Sequence, residues 1–211
     1  MIRESYLESI KSHDSGHDTL QDIFAGGLAL LVLDMQYYFL SPESHAFVPS
    51  APELVPAVLE LAEVFHRMNL PVIYTRHINN SANAAMMGRW WKETITADNP
   101  ESEIHCAFDT SRGTVLEKTQ YDAFYKTGLD GLLKEQGVST VVVTGLLTNL
   151  CCETTARSAF VRGYRVLMPV DGTATFNREL HLATTVNLAH GFTRPVSIQA
   201  ILRAIGSYCG N

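Results

Sequence analysis

The stretch that decides the fold is residues 141–156, which read VVVTGLLTNLCCETTA. Its first part, Val141–Val143, is an apolar β-branched run of the kind found in strands buried on both faces. Gly145 permits a sharp turn at the end of that strand, and Thr148 or Asn149 is suited to cap a helix that begins there. The stretch therefore predicts a strand, a tight turn and a helix that opens on a pair of cysteines.

Cys151 and Cys152 fall in the predicted first turn of this helix. The helix dipole and the free backbone N–H groups at that position favour a thiolate, and the same N–H groups can bind an oxyanion formed when the thiolate attacks a carbonyl. Free cysteines are also often buried as small apolar residues. Position alone therefore leaves two interpretations open, a nucleophile and a core residue.

Apolar runs elsewhere in the chain predict strands that alternate with helices. Leu28–Leu33 and Pro71–Arg76 have the pattern of buried strands, and residues 54–68 carry apolar side chains at the spacing of an amphipathic helix. Further short strands are predicted over residues 114–117, 164–168 and 196–198. Together these patterns predict an α/β fold: a three-layer α/β/α, doubly wound arrangement around a six-stranded, mostly parallel sheet. We divide the chain into an N-terminal arm, residues 1–27, and one domain, residues 28–211.

The composition excludes several classes of function. The 211 residues are 46% apolar and 18% charged with a net charge of −6, so no basic surface favours nucleic acid or an anionic membrane. No run of about 18 apolar residues predicts a membrane span. Four cysteines are too few for a disulfide scaffold in a chain of this length, and the first residues lack the apolar core of a secretory signal, which together favour a reduced, cytoplasmic protein. The glycine-rich nucleotide-binding motifs are also missing after the predicted strands.

Three residues with useful chemistry fall just past the carboxyl ends of predicted parallel strands: Asp34, Lys118 and Cys151. The carboxyl ends of such strands share the edge at which open α/β sheets bind ligands, so we expect these residues to lie close together. An ammonium group would lower the pKa of the thiol, and a carboxylate can accept the thiol proton and later return it to a leaving group. The set suits acyl transfer. Taken singly, Asp34 also fits a helix cap and Lys118 a surface lysine.

Three segments, in this order and spacing, resemble the isochorismatase-like cysteine hydrolases, a family that includes nicotinamidases, N-carbamoylsarcosine amidohydrolases and ureidoacrylate amidohydrolases. They are 33–36 (LDMQ), 118–124 (KTQYDAF) and 144–151 (TGLLTNLC). Weaker matches occur at 170–172 and 179–181, and the resemblance runs from about residue 28 to residue 201. The domain of residues 28–211 is thereby identified as an isochorismatase-like hydrolase domain.

The resemblance implies a catalytic triad of Asp34, Lys118 and Cys151, with Cys151 rather than Cys152 as the nucleophile. It implies a non-proline cis peptide between Leu146 and Leu147, and an oxyanion hole formed by the N–H groups of Leu147 and Cys151. The implied reaction is attack on an amide carbonyl, release of ammonia or an amine, and hydrolysis of a thioester by water activated at Asp34. A homo-oligomer, a dimer or a tetramer, is also implied.

The substrate pocket is expected between the loops of residues 37–50 and 78–110. The residues assigned to it are Gln36, Tyr38, His77, Trp90 and Tyr121. Some of these have a second interpretation, since the aromatic side chains after Asp34 can instead pack the sheet edge, His77 can be a plain loop residue, and the Trp90–Trp91 pair can pack between subunits. The partner expected at this pocket is a small molecule, with neither nucleic acid nor membrane involved.

Two departures from the family pattern limit what the resemblance implies. Nicotinamidases carry an Asp-x-His metal motif, and no such motif occurs between Asp34 and Lys118, so we expect no metal and no other cofactor. Cys152 stands where the family commonly has valine.

The stretch from Asp34 to Phe39 also resembles true isochorismatases, which cleave a vinyl ether with the aspartate as acid. We therefore expect a cysteine amidohydrolase acting on a small carboxamide or ureido compound, with vinyl ether hydrolysis or a catalytically silent binding homologue as alternatives.

Overall fold

A computed structural model describes residues 4–12, 14, 23–24 and 26–208 of the chain. Within this part, parallel strands form one central sheet. The strands are β1 Gly27–Leu33, β2 Val72–His77, β3 Thr114–Lys118, β4 Val138–Leu146, β5 Arg165–Pro169, β6 Thr173–Ala174 and β7 Arg194–Val196.

The strand order places a topological switch point at the centre of the sheet. The order is β3-β2-β1-β4-β5-β7, with β6 paired to β4, and every pairing is parallel. The chain builds outward from β1 through β2 to β3 and then returns to the other side of β1 with β4. Open α/β sheets bind ligands in the crevice at such a point, which here lies at the carboxyl ends of β1 and β4.

The predicted three-layer architecture is confirmed, with two differences in the sheet. The sheet has seven strands rather than six, because β6 contains only two residues and two residues are too short to give a pattern. The last predicted strand, 196–198, is displaced: β7 ends at Val196, and Ile198 begins a helix whose first N–H donates to Asp171 Oδ1 at 2.8 Å. An apolar run at a strand–helix boundary does not reveal where the change occurs.

Helices cover both faces of the sheet. They are α1 Glu4–Lys11, α2 Tyr37–Leu40, α3 Ala51–Arg67, α4 Met87–Trp90, α5 Leu129–Glu135, α6 Glu153–Val161, α7 Arg178–Gly191 and α8 Ile198–Tyr208. Alternate residues of β1 face the two layers, since Leu28, Leu30 and Val32 pack with α3 and α8, whereas Ala29, Leu31 and Leu33 pack with α5, α6 and α7. The strand is thus buried on both sides, as its unbroken apolar run predicts.

Part of the predicted arm packs against the domain. Ile10 of α1 is fully buried beside Val170 and Ala189, and Asp14 forms a 3.0 Å ion pair with Arg194. Ile23 and Phe24 join the core under α3 and α8. The division at residue 27 stays a prediction. In the described part of the chain, every helix is too short or too polar to cross a lipid bilayer.

Candidate active site

Asp34, Lys118 and Cys151 meet at the switch point of the sheet. The Lys118 Nζ lies 2.8 Å from Asp34 Oδ2 and 3.3 Å from Cys151 Sγ. Asp34 is fully buried, Lys118 is 1% exposed and Cys151 is 7% exposed. In the sequence, Asp34 and Lys118 are 84 positions apart, and Lys118 and Cys151 are 33 positions apart. The fold brings them together because their strands end at one edge of the sheet.

Two strand contacts fix the position of Asp34. The residue directly follows β1 with a positive φ of 52°, and Thr75 of β2 holds it twice: the Thr75 hydroxyl donates to Asp34 Oδ1 at 2.6 Å and accepts from the Asp34 N–H at 3.0 Å. On the other side of β1, Gly145 has a φ of +107°, and a Cβ there would lie 2.1 Å from the Leu33 carbonyl oxygen. Only glycine permits this close approach of β4 to the end of β1.

Cys151 lies in a π-helical turn, Thr148–Cys152, that precedes α6. Neither residue that the sequence suggested as a helix cap serves as one. Thr148 instead contacts His181 Nδ1 at 3.0 Å and Thr173 Oγ1 at 3.1 Å, and Asn149 Oδ1 accepts from the Thr175 hydroxyl at 2.6 Å. Polar side chains thus tie the turn to β6 and α7 rather than to its own backbone. The peptide bond between Leu146 and Leu147 is cis.

The electrostatics of the cysteine differ from the expectation based on sequence. Burial raises the pKa of the Cys151 thiol, the Asp34 carboxylate raises it further, and the Lys118 ammonium only partly opposes them. Lys118 therefore lowers the pKa of the thiol, as expected, but desolvation of the charged form outweighs its contribution and leaves the pKa above its ordinary value. Burial also opposes the charge on Lys118, but the interactions with Asp34 and Cys151 together outweigh it and leave the pKa of Lys118 above its ordinary value. These shifts favour a protonated thiol beside the Asp34–Lys118 ion pair.

His77 completes a buried cluster that we call the cavity floor: Asp34, His77, Lys118 and Cys151. Its Nδ1 lies 3.2 Å from Lys118 Nζ, and its Nε2 lies 2.8 Å from Asn79 Oδ1. Burial lowers the pKa of His77 to about 4, and the Lys118 charge contributes in the same direction. The imidazole is therefore neutral at physiological pH.

Above the floor lies a cavity of about 190 Å³ with mainly apolar walls. Of the residues assigned to the pocket from the sequence, Tyr38, His77 and Tyr121 line it. Gln36 does not, because it is fully buried and its amide bonds the backbones of His77 and Ser102. Trp90 ends α4 and is 75% exposed, so it lies outside the cavity as well.

The sequence indicates the entrance of the cavity only through the Trp90–Trp91 pair, of which Trp91 lines the cavity. We call His45, Trp91 and Glu93 the cavity mouth. Trp91 Nε1 donates to the Tyr121 hydroxyl at 2.7 Å, His45 Nδ1 lies 3.4 Å from Glu93 Oε2, and His45 Nε2 lies 3.2 Å from the Tyr38 hydroxyl. These residues come from two irregular loops, which carry no periodic signal; the adjacent tryptophans were the one available hint.

Three side chains on the floor have metal-binding atoms close together. Single ligand atoms of Asp34, His77 and Cys151 lie within 4.8 Å of one another. However, Lys118 Nζ contacts all three, at 2.8, 3.2 and 3.3 Å respectively. A metal ion bound by these atoms would be brought against a buried ammonium, and the repulsion in a low-dielectric site disfavours it. The residues present therefore do not fit a metal, and no step of the chemistry is assigned to one.

A parallel α/β/α sheet with a cysteine, a carboxylate and a lysine under a small cavity at its switch point defines an enzyme-type site for small molecules. A family model described as the Isochorismatase domain matches residues 28–200. Nicotinamidase 3 of Arabidopsis thaliana is 41% identical over 182 residues, covering 84% of this chain and 88% of the relative. The chain belongs to the isochorismatase family and is an isochorismatase-like hydrolase.

Two further similarities agree with this assignment. Enterobactin synthase component B of Escherichia coli (strain K12) is 30% identical over 180 residues, which cover 83% of this chain and 62% of that protein. The crystal structure of a cysteine hydrolase from Pseudomonas syringae pv. phaseolicola 1448A superimposes with a TM-score of 0.78 at 25% identity, covering 85% of this chain and 92% of the other. Each of these similarities therefore covers more than four-fifths of this chain.

Proposed function

We propose that this protein hydrolyses a C–N bond of a small carboxamide or ureido compound, with Cys151 as nucleophile, Asp34 as base and Lys118 as electrostatic support. The observation that carries the proposal is the contact of the three groups on the floor of a small cavity, with Lys118 Nζ 2.8 Å from Asp34 and 3.3 Å from Cys151. A protonated thiol needs a base within reach, and Asp34 is a buried carboxylate beside it.

The proposed reaction has two halves. Asp34 accepts the thiol proton while the sulfur attacks the carbonyl carbon, and the oxyanion faces the N–H groups of Leu147 and Cys151. Asp34 then protonates the leaving nitrogen, so that ammonia or an amine departs and a thioester remains. In the second half Asp34 takes a proton from water, the hydroxide oxygen adds to the thioester, and the acid leaves as the proton returns to the sulfur. The sum is amide plus water giving acid plus amine.

The cavity favours a compact and mainly uncharged substrate. Its volume of about 190 Å³ is below the ~300–1,000 Å³ of sites for drug-sized ligands. Its walls are rich in flat aromatic side chains, and Lys92 is the one ammonium group among the lining residues, where Asp34 and Glu93 supply two carboxylates. A single-ring carboxamide suits these walls, and the relative named Nicotinamidase 3 makes nicotinamide the first compound to test.

A substrate panel tests the proposal. Wild-type protein and Cys151→Ala are compared on nicotinamide, N-carbamoyl amino acids, ureidoacrylate, maleamate and isochorismate. Amide or ureido turnover that disappears in Cys151→Ala supports the proposal. Isochorismate turnover that survives Cys151→Ala would replace it with vinyl ether hydrolysis at Asp34, and binding without turnover of any compound would favour a silent homologue.

We further propose that the protein is a homo-oligomer, a dimer or a tetramer. Trp90 and Met86 are 75% and 62% exposed beside the cavity mouth, and large apolar side chains exposed together are common at protein interfaces. Sedimentation of the wild type and of Met86→Ser/Trp90→Ser tests the proposal. A wild-type monomer would contradict it.

A further inference from the structure

The Lys118 ammonium has more acceptors than it has protons. Its Nζ lies 2.8 Å from Asp34 Oδ2, 3.0 Å from the Gln120 carbonyl oxygen, 3.2 Å from His77 Nδ1 and 3.3 Å from Cys151 Sγ. An ammonium group donates three hydrogen bonds. Asp34 and Gln120 hold the two shortest contacts, so the imidazole and the sulfur compete for the third N–H.

The hydrogen-bond chain behind His77 fixes it as an acceptor. The Thr119 carbonyl can only accept, so the atom of Asn79 that lies 2.9 Å from it is the amide nitrogen. The other end of that amide, Oδ1, then accepts from His77 Nε2 at 2.8 Å. With its proton on Nε2, the neutral ring presents a lone pair at Nδ1 to Lys118. His77 and Asn79 are 4% and 2% exposed, so contacts with protein groups dominate the surroundings of both side chains.

We infer that His77, oriented by Asn79, is a positioning residue that takes the third N–H of Lys118 while Cys151 carries its proton and yields that N–H to the sulfur when the thiolate forms. In this exchange the thiol proton goes to Asp34, the ammonium keeps all three of its protons, and only the acceptor of one N–H changes. A thiolate is a far stronger acceptor than a thiol, which drives the change. The inference rests on the proposed function for its role in catalysis.

The competition for the third N–H of Lys118 predicts the direction in which the pKa of the Cys151 thiol changes when His77 is replaced. Replacing His77 with leucine removes the competing acceptor, so the third N–H of Lys118 stays with the sulfur and favours the thiolate. Replacing His77 with asparagine keeps an acceptor, because Oδ1 of asparagine and Nδ1 of histidine are both bonded to Cγ. The two variants should therefore differ, although both remove the ring.

The first experiment measures alkylation of Cys151 by iodoacetamide between pH 6 and pH 11, with peptides quantified by mass spectrometry and the exposed Cys106 as internal reference. In His77→Leu we expect alkylation below the midpoint to be about tenfold faster, equivalent to a fall of about one in the apparent pKa of the thiol. His77→Asn should follow the wild-type profile. A profile that is unchanged or moves to higher pH in His77→Leu would overturn the inference.

A wider cavity also speeds alkylation, and a control separates that effect. Met87→Ala enlarges the cavity at a lining residue without a hydrogen-bonding side chain. Better access raises the plateau rate and leaves the pH midpoint in place, whereas a change of acceptor moves the midpoint. If Met87→Ala shifts the midpoint as much as His77→Leu does, hydration of the widened cavity rather than a change of acceptor explains the shift, and the inference fails.

The second experiment uses ¹⁵N NMR of the ring nitrogens to measure the protonation state and the tautomer of His77. The ionisable groups around the ring are the Lys118 ammonium on β3, the Asp34 carboxylate after β1 and the Cys151 thiol in the π-helical turn. We expect a neutral ring with its proton on Nε2 at pH 7, assigned by loss of the signal in His77→Asn. Asn79→Asp should raise the pKa of His77, whereas Asn80→Asp, the same change at an exposed neighbour, should not. A proton on Nδ1 at pH 7 would overturn the inference.

These readouts need no substrate, so they separate the two proposals. Alkylation and NMR results as expected, with no amide turnover by the wild type, would refute the proposed function and leave the competition at Lys118 intact. If the wild type turns over an amide but the pH profile of Cys151 alkylation in His77→Leu matches that of the wild type, the competition at Lys118 is refuted and the proposed function stays intact.

Discussion

The floor and the mouth of the cavity are built on different principles. The four floor residues lie at strand ends or in the π-helical turn, and none is more than 7% exposed. At the mouth, Trp91 is 37% exposed, and the side chains of His45 and Glu93 are 54% and 58% exposed. Groups on the floor interact in a low dielectric, whereas ion pairs at the mouth are screened by water. From this difference we expect that the floor sets the reactivity and the mouth selects the substrate.

The largest effect is expected at the nucleophile. Cys151→Ala should lower kcat by about 10⁴-fold or more, because no other described side chain on the floor can form the thioester. Steady-state kinetics on the best amide substrate measure this. Cys106→Ala, the same change at an exposed cysteine, should keep wild-type kinetics. Retention of more than a hundredth of the activity in Cys151→Ala would contradict the assignment of the floor as the reactive region.

Removing the floor cation should cost stability as well as activity. Lys118→Met leaves the fully buried Asp34 carboxylate without its partner, and breaking such a pair typically lowers the free energy of unfolding by about 3–5 kcal/mol. Urea unfolding measures the change. Asp34→Asn/Lys118→Met removes both charges and should recover a large part of the loss. A double variant no more stable than Lys118→Met would show that the ion pair is not the source of the effect.

The floor should also make stability depend on pH. The pKa of His77 falls from the ordinary 6.5 to about 4 on folding, so the unfolded chain binds a proton in this range that the folded chain does not. Its contribution is fully present above pH 6.5 and is lost as the pH falls towards 4, an effect of about 3 kcal/mol. Urea unfolding at several pH values should therefore show a shallower loss for His77→Asn than for the wild type. Parallel curves would contradict burial of a neutral ring.

Changes at the mouth should be smaller and should affect KM. Trp91→Phe removes the hydrogen bond to the Tyr121 hydroxyl, and the loss of one such bond, about 0.5–1.5 kcal/mol, corresponds to roughly a 2- to 12-fold rise in KM. We expect kcat to change by less than about twofold, since the floor is intact. Trp90→Phe, the same substitution one residue earlier and outside the cavity, is the matched control. A fall in kcat with constant KM in Trp91→Phe would contradict the expectation that the mouth acts on substrate binding and the floor on reactivity.

The floor was predictable because its residues follow strands that could be recognised. Asp34 follows β1, Lys118 ends β3 and Cys151 lies in the turn after β4, and parallel strands must end at one edge. The mouth offered no such rule. Trp90 was assigned to the pocket and Trp91 was not, although they are adjacent, because the sequence does not indicate how a loop turns between them. Gln36 is also predicted to line the pocket, yet its amide bonds backbone groups instead.

The sequence by itself determined the layered α/β fold, the edge at which the chemistry lies and the three residues that meet there. These follow from local patterns, since buried strands need apolar runs and strand ends share an edge. Only the tertiary structure decided the charge states on that edge. Desolvation beside Lys118 and Asp34 raises the pKa of the Cys151 thiol and lowers the pKa of His77. Desolvation depends on everything packed around a group, and no local pattern in the chain records it.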